Sequence, residues 1–329
     1  VSDAAAPADA FVALRPLLLG VAYRMLGSAA DAEDVVQDAF LRWQRVDASG
    51  VGSPRAFLTT MVTRMSIDRL RSARARRESY KGPWLPEPVA VDDGAVDHAG
   101  TGLSGAGLSG TGLPGTAVAA GRLEADPAAG AELADSLSLA FLVLLEELGP
   151  VERAVFLLRE VFAFPYDEIA EMTGQTPENC RQMLHRARRR VGERRRRFET
   201  DRARADALAE RFLVACGAGD LPGLMALLAD DVVVWTDGGG KAKAAPRPVV
   251  GPWRAARFLV HTAKGIPAGA VRRATLNGQP GILVDEGGVV TTAIVLDIAD
   301  GSIVGVRVVA NPDKLRAVQP GAGRFPALP

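Results

Sequence analysis

The sequence predicts a multidomain protein in which two all-α modules precede an α+β domain shaped as a cone, and three observations carry that prediction. Apolar residues recur at helical spacing through residues 9–82 and again through 133–198. Between these stretches, residues 91–132 are Gly/Ala/Ser-rich, carry the near-repeats GLSG, GLSG and GLPG, and hold too few large apolar groups to bury a core. Beyond residue 200, short β-branched runs alternate with the turn pairs Asn277-Gly278 and Asp300-Gly301, which suit hairpins. The expected divisions are 9–82, 83–132, 133–198 and 201–315, with a tail at 316–329.

The first helix is expected from about Ala10 to Leu26, ended by Gly27, which can adopt a left-handed C′ conformation. Ser28 can cap the second, with Asp31, Glu33 and Asp34 near the positive end of its dipole. Its buried stripe is Val35, Val36, Ala39, Phe40 and Trp43, which leaves Asp34, Gln37, Asp38 and Leu41 on the outer side. Pro54 suits the first turn of a third helix. There Phe57, Leu58, Met61, Val62 and Met65 face inward and Thr60, Arg64, Asp68 and Arg71 outward. The segment KGPWLPEPV (81–89) holds three prolines, so it is extended rather than helical, and Trp84 within it requires a partner surface.

Leu137 to Leu148 reads as an amphipathic helix stopped by Gly149 and Pro150, Val151 to Phe162 as a second, and Tyr166 to Met172 as a short third. A turn containing Gly174 leads to a fourth, capped by Thr176 with Pro177 at its first position. Short helix, Gly-containing turn and capped polar helix form the helix-turn-helix pattern. Helices then follow at Arg202 to Cys216 and Leu221 to Leu228, and strands at Val232 to Trp235, Val271 to Leu276, Gly281 to Val284, Val289 to Asp297 and Ile303 to Val309. Helices followed by an antiparallel meander imply a helical layer on one face of a curved sheet, which encloses a pocket.

Zero formal net charge hides a pattern. Arg55 to Lys81 carries +6, Arg181 to Arg197 carries +8, and Trp84 to Asp135 between them carries −7. A chain that grips a polyanion at two places has this layout, although solvated helix faces give the same counts. Two cysteines, Cys180 and Cys216, cannot form a framework of bridges, so a reducing compartment is expected. The longest apolar run, Leu139 to Leu145, is far short of the roughly 20 residues a membrane span needs. Residues 1–10 show neither a basic nor an apolar leader, so the cytoplasm is the expected location, with no membrane partner. No phosphate loop, HExxH or CxxC pattern is present, and no cofactor or metal is expected.

The first turns of the helix after Thr176 present Glu178, Asn179, Arg181, Gln182, His185 and Arg186. Arg can bridge guanine O6/N7, Asn and Gln adenine N6/N7, and Glu can accept from cytosine N4. Arg188 to Arg190 and Arg194 to Arg197 can neutralise flanking phosphates. In the N-terminal module the face of Thr60, Arg64, Asp68 and Arg71, continued by Arg74, Arg76 and Arg77, can lie along a DNA strand. Trp43 and Phe40 can stack on an unpaired base, while core burial explains both rings as well and is preferred for Phe40.

The stretches DAEDVVQDAFLRWQRV, SPRAFLTTMVTRMSIDRLRSARARRE and LGPVERAVFLLREVFAFPYDEIAEMTGQTPENCRQMLHRARRRV resemble regions 2 and 4 of sigma-70-type factors of the extracytoplasmic-function group. LAERFLVACGAGDLPGLMALLADDVVVWTDGGGKAKAAPRPVVGPW resembles the start of a SnoaL-like, NTF2-like domain. WLPEP (84–88), DGGGK (237–241) and NPDKL (311–315) resemble the motifs of the subgroup that carries such a domain in place of a separate anti-sigma protein. The resemblance implies that the partners are promoter DNA and core RNA polymerase, both its β′ clamp helices and its β subunit. The face of Asp34, Gln37, Asp38 and Leu41 would meet the clamp helices. Trp43, Thr60, Arg64, Asp68, Arg71 and Arg74 would engage the −10 element, and the helix capped by Thr176 the −35 element, with the acidic linker threading the polymerase cleft. It also implies regulation by intramolecular contact through Trp84, Leu85, Pro86, Glu87 and Pro88, through Asp237, Gly238, Gly239, Gly240 and Lys241, and through Asn311, Pro312, Asp313, Lys314 and Leu315. Physically, WLPEP can dock on the DGGGK loop, where glycines allow close backbone approach, with Trp84 buried and Glu87 paired to Lys241.

Two other classes compete. SnoaL-like pockets elsewhere are enzymes or ligand sensors, and this domain offers Asp237, Lys241, His261 and Asp285, yet no acid–base pair at a fixed local spacing. A small-molecule ligand in the C-terminal pocket therefore stays open. A one-component repressor with a sensor domain leaves residues 9–82 without a role.

Overall fold

The structure, a computed structural model, describes residues 5–47, 50–77, 80–90, 137–192 and 201–322. Helix α1 (Ala5–Leu26) ends at Gly27, whose φ of +66° lies in the left-handed region. In α2 (Ala29–Trp43) the Ser28 hydroxyl caps the helix by accepting the Asp31 N–H at 3.0 Å. Val35, Val36, Ala39 and Trp43 form its buried stripe, and Phe40 packs half-buried on Phe11, ring centroids 4.9 Å apart.

Helix α3 (Pro54–Arg77) departs from the expected stripe. Phe57 is 36% exposed, whereas the polar Thr59, Thr63 and Ser66 are fully enclosed. The reason is that α3 is covered on two sides, by α1 and α2 and by the helix-turn-helix module, so no single apolar face describes it.

That module comprises α4 (Leu139–Leu145), α5 (Pro150–Glu160), α6 (Tyr166–Thr173) and α7 (Pro177–Gly192). Helix α4 is shorter than periodicity suggests because residues 146–148 close with tighter i to i+3 bonds. Gly174 is left-handed at φ +67°, and the Thr176 hydroxyl accepts the Asn179 N–H at 3.2 Å, as the start signal predicts. Cys180, Leu184, Ala187 and Val191 bury one face of α7, which makes Cys180 a packing residue.

The C-terminal domain places α8 (Arg202–Ala218), α9 (Leu221–Met225) and α10 (Pro252–Ala263) over a six-stranded sheet. Its strands are β1 (Leu228–Asp237), β2 (Val249–Val250), β3 (Val271–Leu276), β4 (Gln279–Glu286), β5 (Val289–Ala299) and β6 (Ser302–Val309), in the order β2-β1-β6-β5-β4-β3. Asn277, Gly278, Asp300 and Gly301 all have positive φ, the conformation that tight hairpins demand. A pure meander is not what forms. Strand β1 pairs in parallel with β6, because residues 238–301 supply the long crossover a parallel pair requires.

The two sheet faces have separate duties. Val232, Val234, Ile282, Leu296, Ile298 and Val306, each at most 3% exposed, pack beneath Leu208 and Phe212 of α8 and Leu259 of α10. The face expected to line a pocket is thus occupied by its own side chains and the helices. Leu283, Val290, Ala293, Val295 and Val309 point the other way and join one continuous core with the N-terminal bundle and the helix-turn-helix. The alternation of Ala293 and Val295 with Ile294 and Leu296 along β5 is the period of two that sends neighbours to opposite faces.

Candidate interdomain and nucleic-acid interface

The WLPEP segment is an extended strap wedged between the N-terminal bundle and the sheet, with Leu85, Pro86, Glu87 and Pro88 buried. Toward the bundle, the Glu87 N–H donates to the Gly27 carbonyl at 2.8 Å, and the Tyr23 hydroxyl donates to the Glu87 carbonyl at 2.7 Å. The Glu87 carboxylate accepts from Ser28 Oγ at 2.7 Å and from the N–H groups of Ala29 and Ala30 at 2.9 and 3.3 Å. It therefore caps the positive end of α2. Burial raises the Glu87 carboxyl above its ordinary value, and these donors oppose the rise.

Toward the sheet, Leu85 N–H donates to Asp237 Oδ2 at 2.8 Å, and Val89 exchanges two hydrogen bonds with Asn277. Asn277 Nδ2 also donates to the Tyr23 hydroxyl at 2.6 Å and the Leu137 carbonyl at 3.0 Å. One side chain in the β3–β4 turn thereby ties the strap, the bundle and the start of the helix-turn-helix module together.

Asp237 is the centre of the network. Fully enclosed, it accepts from the Tyr80 hydroxyl at 2.5 Å, Leu85 N–H, Gly239 N–H at 3.0 Å and Lys314 Nζ at 2.7 Å. Lys314 Nζ also donates to the Leu85 carbonyl and lies 4.2 Å from the Trp84 ring centroid and 4.8 Å from that of Tyr80. Burial, and then the bond to Asp237, push the Tyr80 phenol well above its ordinary value. Asn311 caps the turn at Pro312–Lys314 through the Asp313 N–H and donates to Tyr80 at 2.9 Å, and Leu315 is buried beside it.

Two expectations are corrected. Glu87 does not pair with Lys241: it caps α2, and exposed Lys241 pairs with Asp313 at 2.5 Å. Backbone donors and a helix dipole offer a buried carboxylate more than a hydrated ammonium does. Trp84 is half-buried rather than buried: it lies against Gly27, where a Cβ would stand 2.9 Å from the ring, and beneath Lys314, while its neighbour Leu85 docks on Asp237 of DGGGK. Close approach at the DGGGK glycines is real but involves other partners. A Cβ on Gly239 would come within 2.2 Å of Asn311, and one on Gly240 within 2.9 Å of Lys81, while Gly238 is buried.

The two helical modules also grip one another. Arg64 of α3 donates to the carbonyls of Met172 and Glu171 at 3.1 and 2.6 Å, at the negative C-terminal end of α6. Arg153 of α5, 3% exposed, donates to the Met25 carbonyl at 2.7 Å and to Glu146 at 2.9 Å. Burial lowers this guanidinium to about 9, still charged at neutral pH.

The residues expected to touch nucleic acid are thus in unequal states. Trp43 is 1% exposed and packs on Phe57, closed to any base in this conformation, because α3 roofs it. Thr60 donates to the Ala56 carbonyl, Asp68 pairs with Arg71 at 3.2 Å on the surface, and the Arg74 side chain lies outside the described residues, as does the linker. On α7, Glu178 pairs with Arg181, Asn179 donates to Gln175 at 2.7 Å, and Gln182, His185 and Arg186 are exposed. Asp34, Gln37, Asp38 and Leu41 are exposed as well, Asp34 held by Arg69 at 2.8 Å.

Sequence reasoning missed Tyr23, Tyr80, Asn277 and Arg153. Only Asn277 carried a signal, its place in an Asn-Gly turn, and that signal spoke of the turn alone.

A three-helix bundle and a helix-turn-helix packed on the outer face of an α+β cone define a sigma-70-type factor with a fused C-terminal domain. Residues 10–76 match the family model Sigma-70 region 2, and residues 138–191 match Sigma-70, region 4. The chain belongs to the extracytoplasmic-function (ECF) RNA polymerase sigma factors, which direct transcription initiation. It is 36% identical to ECF RNA polymerase sigma factor SigJ of Mycobacterium tuberculosis, over 95% of this chain and 97% of that protein. It is 32% identical to the probable ECF RNA polymerase sigma factor SigI of the same species, over 94% and 95%. The crystal structure of M. tuberculosis SigJ superposes with a TM-score of 0.69 at 33% identity, covering 94% of this chain and 98% of that one.

Proposed function

We propose that this protein directs core RNA polymerase to promoters with two short elements and that the compact arrangement is its restrained state. The divisions 9–82, 83–132, 133–198 and 201–315 act as region 2, linker, region 4 and restraining domain. The observation that carries the reading is the hold of Arg64 on the C-terminal carbonyls of α6, which keeps the −10 face of α3 against the helix-turn-helix. Elements about 17 base pairs apart are separated by roughly 58 Å at 3.4 Å per pair. Regions 2 and 4 must therefore part before both can bind. The 42 residues at 91–132 of that linker, with a contour of roughly 140 Å, permit it.

The strap, Asp237 and the NPDKL turn supply the restraint from within the chain, which removes the need for a separate anti-sigma factor. The exposed face of Asp34, Gln37, Asp38 and Leu41 stays available to the clamp helices, so polymerase can meet the compact form. We read the C-terminal domain as a restraint rather than an enzyme. Of the two acids the domain offers, Asp237 is enclosed and fully engaged and Asp285 accepts the Gly288 N–H at 2.8 Å, while His261 sits on the outer surface of α10. We place its action in the cytoplasm, where core RNA polymerase and promoter DNA meet; among the described residues no helix is long and apolar enough to cross a membrane.

Run-off transcription with core polymerase tests this, using the full chain, a chain ending near Arg197, and one lacking NPDKL and the tail. Promoter-specific transcripts are expected, with yield or core binding altered by the truncations. If no version starts transcription on templates from its own operon region, the initiation role fails. If both truncations leave yield and core binding unaltered, the restraint fails.

A further inference from the structure

From Lys241 to Val284 the sequence has eight Lys or Arg and no Asp or Glu, within a chain whose net charge is zero. Helix α10 concentrates that excess. Its inner face, Ala255, Ala256, Leu259 and Val260, is buried against the cone. Trp253, Arg254, Arg257 and His261, with Lys264 at the C-cap, fall within an arc of about 100° on the outer face, and all are exposed. The Arg257 guanidinium lies over the Trp253 ring at 5.6 Å. Among the described residues none of these cations meets a carboxylate. Arg188, Arg190 and Arg273 elsewhere are paired with Glu160, Glu152 and Glu210. Together with Leu221 and Phe258 the α10 cations line an open groove of about 580 Å³.

From these observations we infer that the outer face of α10 is a third DNA contact, one that binds the sugar-phosphate backbone of duplex DNA outside the site of α7. Unpaired cations on a rigid helix release counterions when they meet phosphates, and that is the dominant sequence-independent term in DNA binding. Arg254 to Lys264 span about 15 Å, the axial rise of roughly four nucleotides on one strand. The chain bounds the distance of the domain: Gly192 ends α7 and Arg202 begins α8, and ten peptide units reach at most about 36 Å, one turn of duplex. Helix α10 itself lies on the sheet face opposite the one that joins the helix-turn-helix, so it meets DNA outside the α7 site. The relation to the α7 site rests on reading that helix as the −35 reader, whereas the charge argument stands apart from it.

The test is fluorescence anisotropy of the full chain on a 30-base-pair duplex of arbitrary sequence, titrated between 50 and 200 mM salt. The triple variant R254Q/R257Q/K264Q should bind at least about tenfold more weakly at 100 mM. Its plot of log affinity against log salt should be shallower by about 2.7, or 0.9 per lost contact. The reversal R254E/R257E/K264E should lose more, with an unchanged melting temperature, because all three side chains are exposed. R181E/R186E probes α7 separately. If it loses affinity while the α10 variants do not, the inference is overturned and the −35 reading stands; if only the α10 variants lose affinity, the reverse holds. Wild-type slope in both α10 variants, or no duplex binding by the wild type, overturns it. So does an oligo-glutamate peptide bound with the same α10 dependence as DNA, which would make the face a general anion surface.

Discussion

Glu87 shows how one side chain changes the meaning of a motif. Within WLPEP it looks like a surface acid free to pair with a lysine, yet it is buried at the N-terminus of α2. Burial raises its carboxyl above the ordinary 4.5, so the folded chain holds the proton more tightly than the unfolded chain does. The stability this group contributes is present in full below 4.5 and is lost as pH rises through the higher folded value. Thermal melts at pH 5 and pH 7 should therefore show the wild type gaining on E87Q upon acidification, since the amide does not titrate. Identical pH dependence in the two proteins would mean that Ser28, Ala29 and Ala30 cancel the cost of burial in full. Asp237 and Lys314 are a buried pair of the kind in which removing one partner strands the other, which makes the DGGGK and NPDKL motifs interdependent.

Among the elements, α3 has the most divided loyalty. It completes the N-terminal bundle, yet its outer side holds α6, and its enclosed Thr59, Thr63 and Ser66 reflect both contacts. Arg64 is the polar part of that second contact. Because the side chain is partly exposed, its two bonds to carbonyl oxygens are worth about 1–2 kcal/mol together. In R64A, amide hydrogen exchange in α6 should quicken while the α1–α2 amides keep their protection. Arg64→Lys should not restore the wild-type rates, because an ammonium lacks the fork that reaches both carbonyls. Unchanged exchange in α6 would place the restraint wholly in the strap and the cone.

At the scale of the whole molecule, the outer sheet face, the strap and both helical modules share one core, so opening is a cooperative event rather than the swing of a loose tether. Trp84 is its most accessible lever. The W84A change removes the packing on Gly27 and the cation–π contact with Lys314, about 2 kcal/mol for a half-buried indole. Small-angle scattering should then report a larger radius of gyration for W84A than for the wild type. A radius that does not move would count against the strap as the closing element.

The amino-acid order by itself determined the helices, the hairpin turns and the class of the modules, because caps, periodicity and turn residues act within a few positions. Gly27, Ser28, Pro54, Thr176, Asn277 and Asp300 each do what local chemistry predicts. The resemblance to the sigma-factor subgroup implied that WLPEP, DGGGK and NPDKL belong together, but not how. Only the tertiary structure decided that Glu87 caps α2, that Trp84 covers Gly27, that Tyr80 and Asn277 join the network, and that Trp43 is closed off. Each of those outcomes is a competition among donors, charges and surfaces brought together from distant parts of the chain. A buried group takes the partner that best replaces its lost water, and sequence spacing does not rank partners that only folding brings within reach.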